Sequence, residues 1–334
     1  MKAVILTGAG GTDMLKLVEV PDPVLKGPQN VLVRLHAAGL NPVDYKLRRK
    51  GGFYPNRLPL ILGCDGAGVV EAIGAAVTKY AAGDEVFFFN GGMGGDEQGN
   101  YAELTIVNQD YLAAKPKSLT MIEAASVPLV WLTAWEALFD RSSLKAGDTI
   151  LVHGGAGGVG YTAIQIAKQA GATVITTISS PEKAEFAKSV GADHCLNYKQ
   201  EDFVKAVLNL TGGEGVDIVF DVIGGQVFAD SFPATKIYGH VVTLDEINFS
   251  KGEAGVAKLR NLSLSYELML TPIHFKMHDA RVRQTGMLNE AARMIDAGQV
   301  KVNITNIFSL AEIDQAHHIV EDGHSTGKTV IKII

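Results

Sequence analysis

A glycine-rich segment between two apolar runs constrains the fold of this chain more than any other feature. Thr149–Val152 is a β-branched run that predicts a buried strand, and the motif Gly-x-Gly-x-x-Gly follows it at residues 155–160. Ala163–Lys168 then predicts a helix, and Thr173–Ile178 predicts a second strand. A strand, a glycine turn and a helix in this order are typical of a phosphate-binding turn in a doubly wound parallel sheet.

Each glycine of this motif has an expected physical role. Gly155 would allow the tight turn after the strand, Gly157 would let backbone approach a pyrophosphate, and Gly160 would let the helix pack against the strand. The helix N-terminus then offers unpaired N–H groups to the phosphates. We therefore expect a dinucleotide to contact the whole segment, here named the glycine elbow: Gly155, Ala156, Gly157, Gly158, Val159 and Gly160.

The end of the second strand indicates which dinucleotide binds. Sites that prefer NAD usually place Asp or Glu there, to accept hydrogen bonds from the ribose 2′-hydroxyl. This chain has Ser179 and Ser180 instead, and Lys183 follows on the first turn of the next helix. Two hydroxyls and a cation match a 2′-phosphate, which favours NADPH over NADH. Ser180 is also a candidate helix cap before Pro181, and a capping serine can still face a phosphate.

Length, charge and cysteine content exclude several classes of protein. A chain of 334 residues is long enough for two domains with separate cores. The net charge of −6 argues against a nucleic-acid partner. No apolar run approaches the ~20 residues of a membrane span, and the first apolar run is too short for a signal peptide. With only two cysteines, we expect a cytoplasmic protein without a disulfide framework.

The pattern of short apolar runs divides the chain into two predicted domains. Residues 1–125 show strand-like runs punctuated by glycine and proline and no long helical period, which predicts a mostly antiparallel β domain. Residues 126–270 alternate strand and helix, as a parallel sheet requires. Residues 271–334, with a helix at Met287–Ala297 and a strand at Thr329–Ile334, are expected to complete the first domain. The other strands predicted in the second domain are His194–Asn197, Val216–Val222, His240–Leu244 and Leu262–Leu270.

Four further motifs accompany the glycine elbow in a fixed order: Ala38–Asp44, Leu62–Val70, Gly99–Glu103 and Leu132–Leu138. With them, the chain resembles the zinc-free quinone oxidoreductase branch, also called zeta-crystallin-like, of the medium-chain dehydrogenase/reductase superfamily. The resemblance implies an α/β protein. Its GroES-like catalytic domain would comprise residues 1–125 and 271–334, and its Rossmann dinucleotide-binding domain, with a doubly wound parallel sheet, residues 126–270.

The resemblance also identifies metal ligands that this chain lacks. Zinc alcohol dehydrogenases of the superfamily have a ligand cysteine at the position of Asn41 and a His-Glu pair at the position of Cys64 and Asp65. Asparagine is a poor zinc ligand, and one cysteine cannot supply the three protein ligands of a catalytic zinc. His36, Cys64 and Asp65 have no recognised metal-ligand spacing. We therefore expect no metal.

Without a Lewis acid, a simple ketone is poorly polarised, whereas a conjugated carbonyl compound accepts hydride more readily. We therefore expect an NADPH-dependent oxidoreductase that transfers hydride to a quinone or a similar conjugated carbonyl acceptor. Reduction of the C=C bond of an enal or enone is an alternative that involves the same residues. A third reading, from another class, is a nucleotide-binding protein with little turnover and a structural role.

Three residues near the lost ligand positions are candidates for the catalytic site. The Asn41 amide would bind the nicotinamide ribose or the substrate oxygen, unless it is only a turn residue before Pro42. Tyr45 and Tyr54 are phenols that would donate to a developing oxyanion, unless they are packed aromatic residues. Asp44 would either orient a neighbouring group or close an Asx-type turn, and the turn is favoured.

The resemblance and the strand ends add further cofactor contacts. Thr133 matches a threonine at the family's domain hinge, Tyr198 matches a position near the 2′-phosphate, and Lys328 matches a basic residue that reaches the cofactor. A solvated surface lysine is the alternative for Lys328. Ile223 and Gly224 follow a predicted strand at the edge where loops line the cofactor crevice. The family also implies a homodimer, in which an edge strand pairs with its counterpart.

Overall fold

The computed structural model describes residues 1–247, 249–323 and 325–334, without the side chain of residue 55. Two compact units are present: Met1–Leu129 with Leu270–Ile334, here the first unit, and Val130–Met269, here the second unit. The strands of the described residues are β1 (Lys2–Leu6), β2 (Leu15–Glu19), β3 (Asn30–Leu40), β4 (Leu60–Ile61), β5 (Asp65–Ile73), β6 (Glu85–Phe89), β7 (Leu104–Asn108), β8 (Leu112–Ala114), β9 (Thr149–Val152), β10 (Thr173–Ile178), β11 (His194–Asn197), β12 (Val216–Asp221), β13 (Thr235–Thr243), β14 (Ser263–Tyr266), β15 (Ile304–Ser309) and β16 (Lys328–Lys332).

Helices connect most of these strands. They are α1 (Pro42–Lys50), α2 (Met121–Ala125), α3 (Pro128–Trp135), α4 (Gly158–Gln169), α5 (Pro181–Ser189), α6 (Phe203–Leu210), α7 (Gln226–Asp230), α8 (Lys251–Leu259), α9 (Thr271–His274), α10 (His278–Asp296) and α11 (Ile313–Glu321). A π-helical turn follows α3 at Glu136–Arg141. In the part of the chain that is described, no helix combines the length and apolarity needed to cross a membrane.

The second unit contains a six-stranded parallel sheet in the order β11-β10-β9-β12-β13-β14. Counted from the first strand of the unit, this is the order 3-2-1-4-5-6 of a doubly wound dinucleotide-binding fold. The apolar runs that predicted the strands supply its core, where Leu151, Ile175 and Val219 are fully buried beside the helices. The predicted Rossmann architecture is confirmed.

The first unit contains two sheets that are mostly antiparallel. The larger has the order β15-β16-β3-β5-β6-β8, and β7 also pairs with β3. Its pairs are antiparallel except β15 with β16, and the C-terminal strand β16 lies directly beside β3. Along β3, Val31, Val33 and Leu35 are buried at alternate positions, because successive side chains of a strand point to opposite faces.

Some predicted element limits differ from the observed ones. The run Leu262–Leu270 forms a strand only at Ser263–Tyr266, and Glu267 turns away to accept a hydrogen bond from Arg141. The strand predicted to begin at His240 begins at Thr235. The helix α1 was not expected in the β-rich segment. It has the start signals of a helix, since Asn41 is its N-cap and Pro42 its first residue.

Candidate functional site

The glycine elbow begins directly at the end of β9 and leads into α4. The backbone turns in the left-handed region at Gly154, where φ is +67°. Glycine is suited to this position because it has no Cβ to oppose a positive φ. Gly155 lies within the same turn, and its predicted role of allowing the turn stays a prediction. Gly155 has a different constraint. A Cβ at Gly155 would lie within 3.0 Å of the Thr176 side chain, which already donates to the Val152 carbonyl.

Gly157 and Gly160 differ in their surroundings. A Cβ at Gly160 would lie within 3.0 Å of the Gly154 carbonyl oxygen, so helix and turn touch through backbone at this point. A Cβ at Gly157 would meet only the Gly154 carbonyl oxygen, at 3.5 Å, which is ordinary contact. Among the residues that the structure describes, none therefore requires glycine at position 157. A ligand that approaches the backbone at Gly157 would require glycine there, because a Cβ would occupy its space.

The N-terminus of α4 lacks a side-chain cap. Its N-cap is Gly157, which makes no side-chain capping hydrogen bond. Gly157, Gly158 and Val159 are partly exposed, whereas Gly155, Ala156 and Gly160 are buried. The first turn of a helix has N–H groups without intrahelical partners and the positive end of the helix dipole. The elbow thus has the chemistry of an anion site.

The residues predicted to bind the 2′-phosphate lie together at the start of α5. The Ser180 hydroxyl accepts a hydrogen bond from the Lys183 N–H at 3.4 Å, so Ser180 caps the helix. The same hydroxyl holds the pKa of the Glu182 carboxyl below its usual range. Ser179, Ser180 and Lys183 are all partly exposed. The strand end before them carries no carboxylate, as the sequence analysis noted.

The other predicted cofactor residues of the second unit occupy different environments. Tyr198 and Ile223 are more than half exposed, while Thr133 is fully buried in α3. Gly224 has its N–H bound to the buried Asp221 carboxylate, at 3.0 and 3.1 Å. Asp221 also accepts from the Ile223 N–H at 2.9 Å. This carboxylate fixes the loop after β12, and the sequence analysis missed its role.

A second group of polar residues is buried in the first unit, here named the buried polar cluster: Asn41, Asp44, Asp65, Tyr101 and Lys328. The Asn41 side-chain amide donates to Asp65 at 2.8 Å, and its oxygen accepts from the Lys328 ammonium. Lys328 also donates to the Leu40 carbonyl at 3.1 Å and lies 4.0 Å from the Asp65 carboxylate. Asp65 in turn accepts from the Leu129 N–H at 2.8 Å.

Asp44 connects Tyr101 to the start of α1. Its carboxylate accepts from the Asn41 N–H at 2.8 Å and from the Tyr101 hydroxyl at 2.9 Å. The expectation that Asp44 closes an Asx-type turn is therefore wrong. Asp44 is the third residue of α1 and completes a capping box with Asn41.

Burial shifts the pKa values of this cluster. It raises the pKa of Asp44 to about 7, although the Asn41 N–H and the Tyr101 hydroxyl oppose the shift. It raises the pKa of Asp65 to about 6 against the opposing charge of Lys328. It also lowers the pKa of Lys328, which the two carboxylates counteract. Two carboxyl groups and one ammonium thus share a dry site, and their protonation depends on one another.

The predicted catalytic residues Asn41, Tyr45 and Tyr54 all lie in the first unit. Asn41 is fully buried, with both ends of its amide engaged in the buried polar cluster. Tyr45 is partly exposed on α1, and the Arg49 guanidinium lies 6.0 Å from the centre of its ring. Tyr54 is also partly exposed, and its hydroxyl lies 2.9 Å from Nδ1 of His274. The sequence analysis did not single out His274.

Lys328 is not a solvated surface lysine. It is 4% exposed, because it lies at the start of β16 against β3. Its ammonium donates inside the first unit to Leu40 and Asn41. The observed contacts make Lys328 an ordering group for Asn41, and its contact with the cofactor stays a prediction.

The residues at the family's zinc positions do not fit zinc. The Asn41 oxygen already accepts from the Lys328 ammonium, so a cation of the protein itself stands there. Burial raises the pKa of the Cys64 thiol, and the carboxylates of Asp44 and Asp65 raise it further, which disfavours the thiolate that zinc needs. Among the described residues, no group of three or more His, Cys, Asp or Glu side chains is arranged to hold a metal ion.

Comparisons with known proteins agree with this architecture. A family model described as "Alcohol dehydrogenase GroES-like domain" matches residues 27–117, and one described as "Zinc-binding dehydrogenase" matches residues 190–331. The quinone oxidoreductase of Pseudomonas aeruginosa is 35% identical over 332 residues, which cover 99% of both chains. The 2-methylene-furan-3-one reductase of Solanum lycopersicum is 36% identical over 99% of this chain and 79% of the relative.

A solved structure supports the same conclusion. The Escherichia coli quinone oxidoreductase in complex with NADPH superposes with a TM-score of 0.86 at 26% identity, over 99% of this chain and 100% of that chain. The predictions of the family, of the fold class and of an enzyme are confirmed. The chain belongs to the medium-chain dehydrogenase/reductase superfamily, in its quinone oxidoreductase branch, and is an oxidoreductase.

Proposed function

We propose that the protein uses NADPH to reduce a quinone or a similar conjugated carbonyl compound without a metal ion. The observation that carries this proposal is the glycine elbow, whose Gly157 is open above an uncapped helix N-terminus. Reduced nicotinamide supplies a hydride when it is bound. The protein then needs to hold the acceptor in place and to offer a hydrogen-bond donor to its oxygen.

The residues at the zinc positions support a reaction without a Lewis acid. Because Asn41 and Cys64 do not fit zinc, the acceptor itself must be electrophilic. A quinone or enone meets this requirement, since the incoming negative charge delocalises onto an oxygen. Tyr54 and Tyr45 are the partly exposed phenols of the first unit that we propose as donors to that oxygen.

The residues proposed to bind the cofactor are taken in turn by the part of the dinucleotide that each would contact. Ser179, Ser180 and Lys183 would bind the 2′-phosphate, and the glycine elbow would bind the pyrophosphate. The complex of the E. coli relative with NADPH supports this cofactor. The remaining proposed contacts are Thr133, Tyr198, Ile223, Gly224 and Lys328.

Replacing Lys183 with Ala tests the preference for NADPH. We expect the Kd for NADPH to rise about tenfold to a hundredfold, because a charge-assisted hydrogen bond contributes about 1.5–3 kcal/mol. The Kd for NADH, which lacks the phosphate, should change by less than about twofold, as measured by fluorescence titration. Lys188→Ala, at the other end of α5, is the matched control and should leave both values unchanged. Equal losses for the two cofactors would overturn the 2′-phosphate assignment.

A second candidate function is reduction of the C=C bond of an enal or enone. The similarity to the 2-methylene-furan-3-one reductase favours it. Turnover of a benzoquinone and of a straight-chain enone, measured side by side as NADPH consumption, separates the two. A kcat/KM at least tenfold higher for the quinone would support quinone reduction. The reverse ratio would establish the enone reductase, and no turnover of either acceptor would overturn both.

We also propose a homodimer formed through the edge of the parallel sheet. The strand β14 stands at that edge. Apolar side chains on and beside the last two strands are exposed, among them Tyr238 at 71% and Tyr266 at 54%. An exposed edge with apolar side chains is commonly covered by a partner strand.

A further inference from the structure

We propose that His274 positions the Tyr54 hydroxyl and returns a proton to it after Tyr54 has donated to the reduced acceptor. This inference rests on the proposed function and adds a residue to it. The Tyr54 hydroxyl oxygen lies 2.9 Å from Nδ1 of His274, although the two residues are 220 positions apart. Their rings are stacked with centroids 5.8 Å apart and an angle of 21°. Stacking and hydrogen bond together fix the orientation of the phenol.

Two further aromatic rings lie beside this pair and are exposed rather than buried in a core. The ring of Phe53 lies 4.7 Å from that of His274, and the ring of Phe275 lies 4.6 Å from it. Phe53 is 41% exposed and Phe275 is 68% exposed. Aromatic rings that cluster while remaining exposed offer stacking faces to a conjugated ring. Tyr54 also lines a cavity of about 180 Å³ in the first unit.

The charged side chains around Tyr54 and His274 form ion pairs with one another. Arg57 lies 5.6 Å from the centre of the Tyr54 ring, and both Arg57 and Lys276 bind the Asp96 carboxylate, at 2.6 and 2.5 Å. In the same cavity, Arg281 binds Glu97 at 2.5 Å. Among these neighbours, His274 is the one whose ring nitrogen faces the Tyr54 hydroxyl, and an imidazole can both accept and donate a proton.

The proton transfer balances in three steps. As the acceptor takes up a hydride from reduced nicotinamide, the O–H bond of Tyr54 breaks and an O–H bond forms on the acceptor. The His274 imidazolium then loses its Nδ1 proton to the Tyr54 phenolate, which leaves a neutral imidazole with its proton on Nε2. A proton from hydronium or a buffer acid in the solvent then restores the imidazolium. Both side chains are partly exposed, so solvent can reach the pair.

The first unit contains a second tyrosine–histidine pair that serves as a matched control. The Tyr111 hydroxyl lies 2.9 Å from Nδ1 of His278, with ring centroids 5.6 Å apart. Here Arg281 covers the tyrosine ring at 3.6 Å, and Asp110 lies 3.7 Å from the histidine. The geometry of the hydrogen bond is therefore the same, but no catalytic role is assigned to this pair.

The experiment compares His274→Asn, Tyr54→Phe, the double variant and His278→Asn in steady-state quinone reduction from pH 5 to 8.5. The asparagine amide N–H can still donate a hydrogen bond to the Tyr54 hydroxyl, but it cannot release a proton to it. In the wild-type enzyme, kcat should fall as the pH rises, because the relay takes up one proton from solvent in each turnover. In His274→Asn we expect kcat near pH 6 to fall about tenfold and to become independent of pH, with both KM values within about twofold of wild type. The double variant should be no slower than Tyr54→Phe, since the two residues act in series.

Three results would overturn the proposal. One is a His274→Asn variant, shown to be folded by its thermal unfolding and its Kd for NADPH, that keeps the wild-type pH profile. Another is a double variant whose loss is the product of the two single losses. A third is the same flattened profile in His278→Asn. A wild-type enzyme that consumes no NADPH with any conjugated acceptor would instead refute the proposed function, and this relay with it.

Discussion

The substitution Lys328→Met is expected to destabilise the folded protein by about 3–5 kcal/mol at pH 8, the usual cost of removing one partner from a buried charge pair. The Lys328 ammonium donates to Asn41 and lies 4.0 Å from Asp65, and all three side chains are buried. Without it, the carboxylates of Asp44 and Asp65 keep their burial cost and lose the opposing charge. Urea unfolding at fixed pH measures the difference.

The effect should depend on pH in a defined direction. When folding raises the pKa of a carboxyl group, that group's contribution to the stability of the protein is lost as the pH rises. The loss occurs between the pKa of the group in the unfolded state and its pKa in the folded state. These folded values are about 7 for Asp44 and about 6 for Asp65. Removal of Lys328 raises both further, because its charge lowers them in the wild type. The decrease in the free energy of unfolding caused by Lys328→Met should therefore be largest at pH 8 and become smaller as the pH falls towards 4.

A double variant separates charge from packing. Lys328→Met combined with Asp65→Asn removes one positive and one negative charge and should recover half or more of the lost stability at pH 8. A pH-independent loss, or a double variant less stable than Lys328→Met, would show that Lys328 contributes by its packed side chain rather than by its charge.

The two parts of the candidate site differ in how far they could be predicted from sequence. The glycine elbow was predicted because all its determinants are local: the β-branched strand, the glycine spacing and the helix follow one another within residues 149–169. Even here the positive φ of Gly154 was not predicted. Sequence spacing gives no φ angle, and Gly154 lies outside the Gly-x-Gly-x-x-Gly pattern of residues 155–160.

The buried polar cluster could not be predicted because its contacts are distant in sequence. Asn41 meets Asp65 at a separation of 24 residues and Lys328 at a separation of 287 residues. The periodicity of apolar residues along the sequence does not indicate that Asp65 or Lys328 contacts Asn41. By contrast, α1 could have been found, since Asn41, Pro42 and Asp44 are ordinary helix-start signals. His274 lies in a helix of four residues, which leaves no periodic signal.

The substitution Gly157→Ala should separate the ligand-binding role of the glycine elbow from its role in the fold. At φ −75° and ψ 166°, alanine is as acceptable as glycine, and its Cβ would meet only one protein atom, at 3.5 Å. The free energy of unfolding should therefore stay within about 1 kcal/mol of wild type. The Kd for NADPH should rise on the order of a hundredfold, or about 2.8 kcal/mol, because the added methyl group occupies the space of the phosphate.

Two other glycines of the second unit provide the comparison. Gly160→Ala should lower the free energy of unfolding by about 1–3 kcal/mol, because its Cβ would press on the Gly154 backbone carbonyl. Gly255→Ala, in α8 with nothing within 4 Å of the added Cβ, should raise it by about 0.5–1 kcal/mol and leave NADPH binding unchanged. Calorimetric titration and urea unfolding of the same three variants give both quantities. If Gly157→Ala binds NADPH as wild type does, the pyrophosphate does not contact this turn. If it unfolds as readily as Gly160→Ala, the fold itself requires glycine at position 157, and the contacts of the added Cβ have been underestimated.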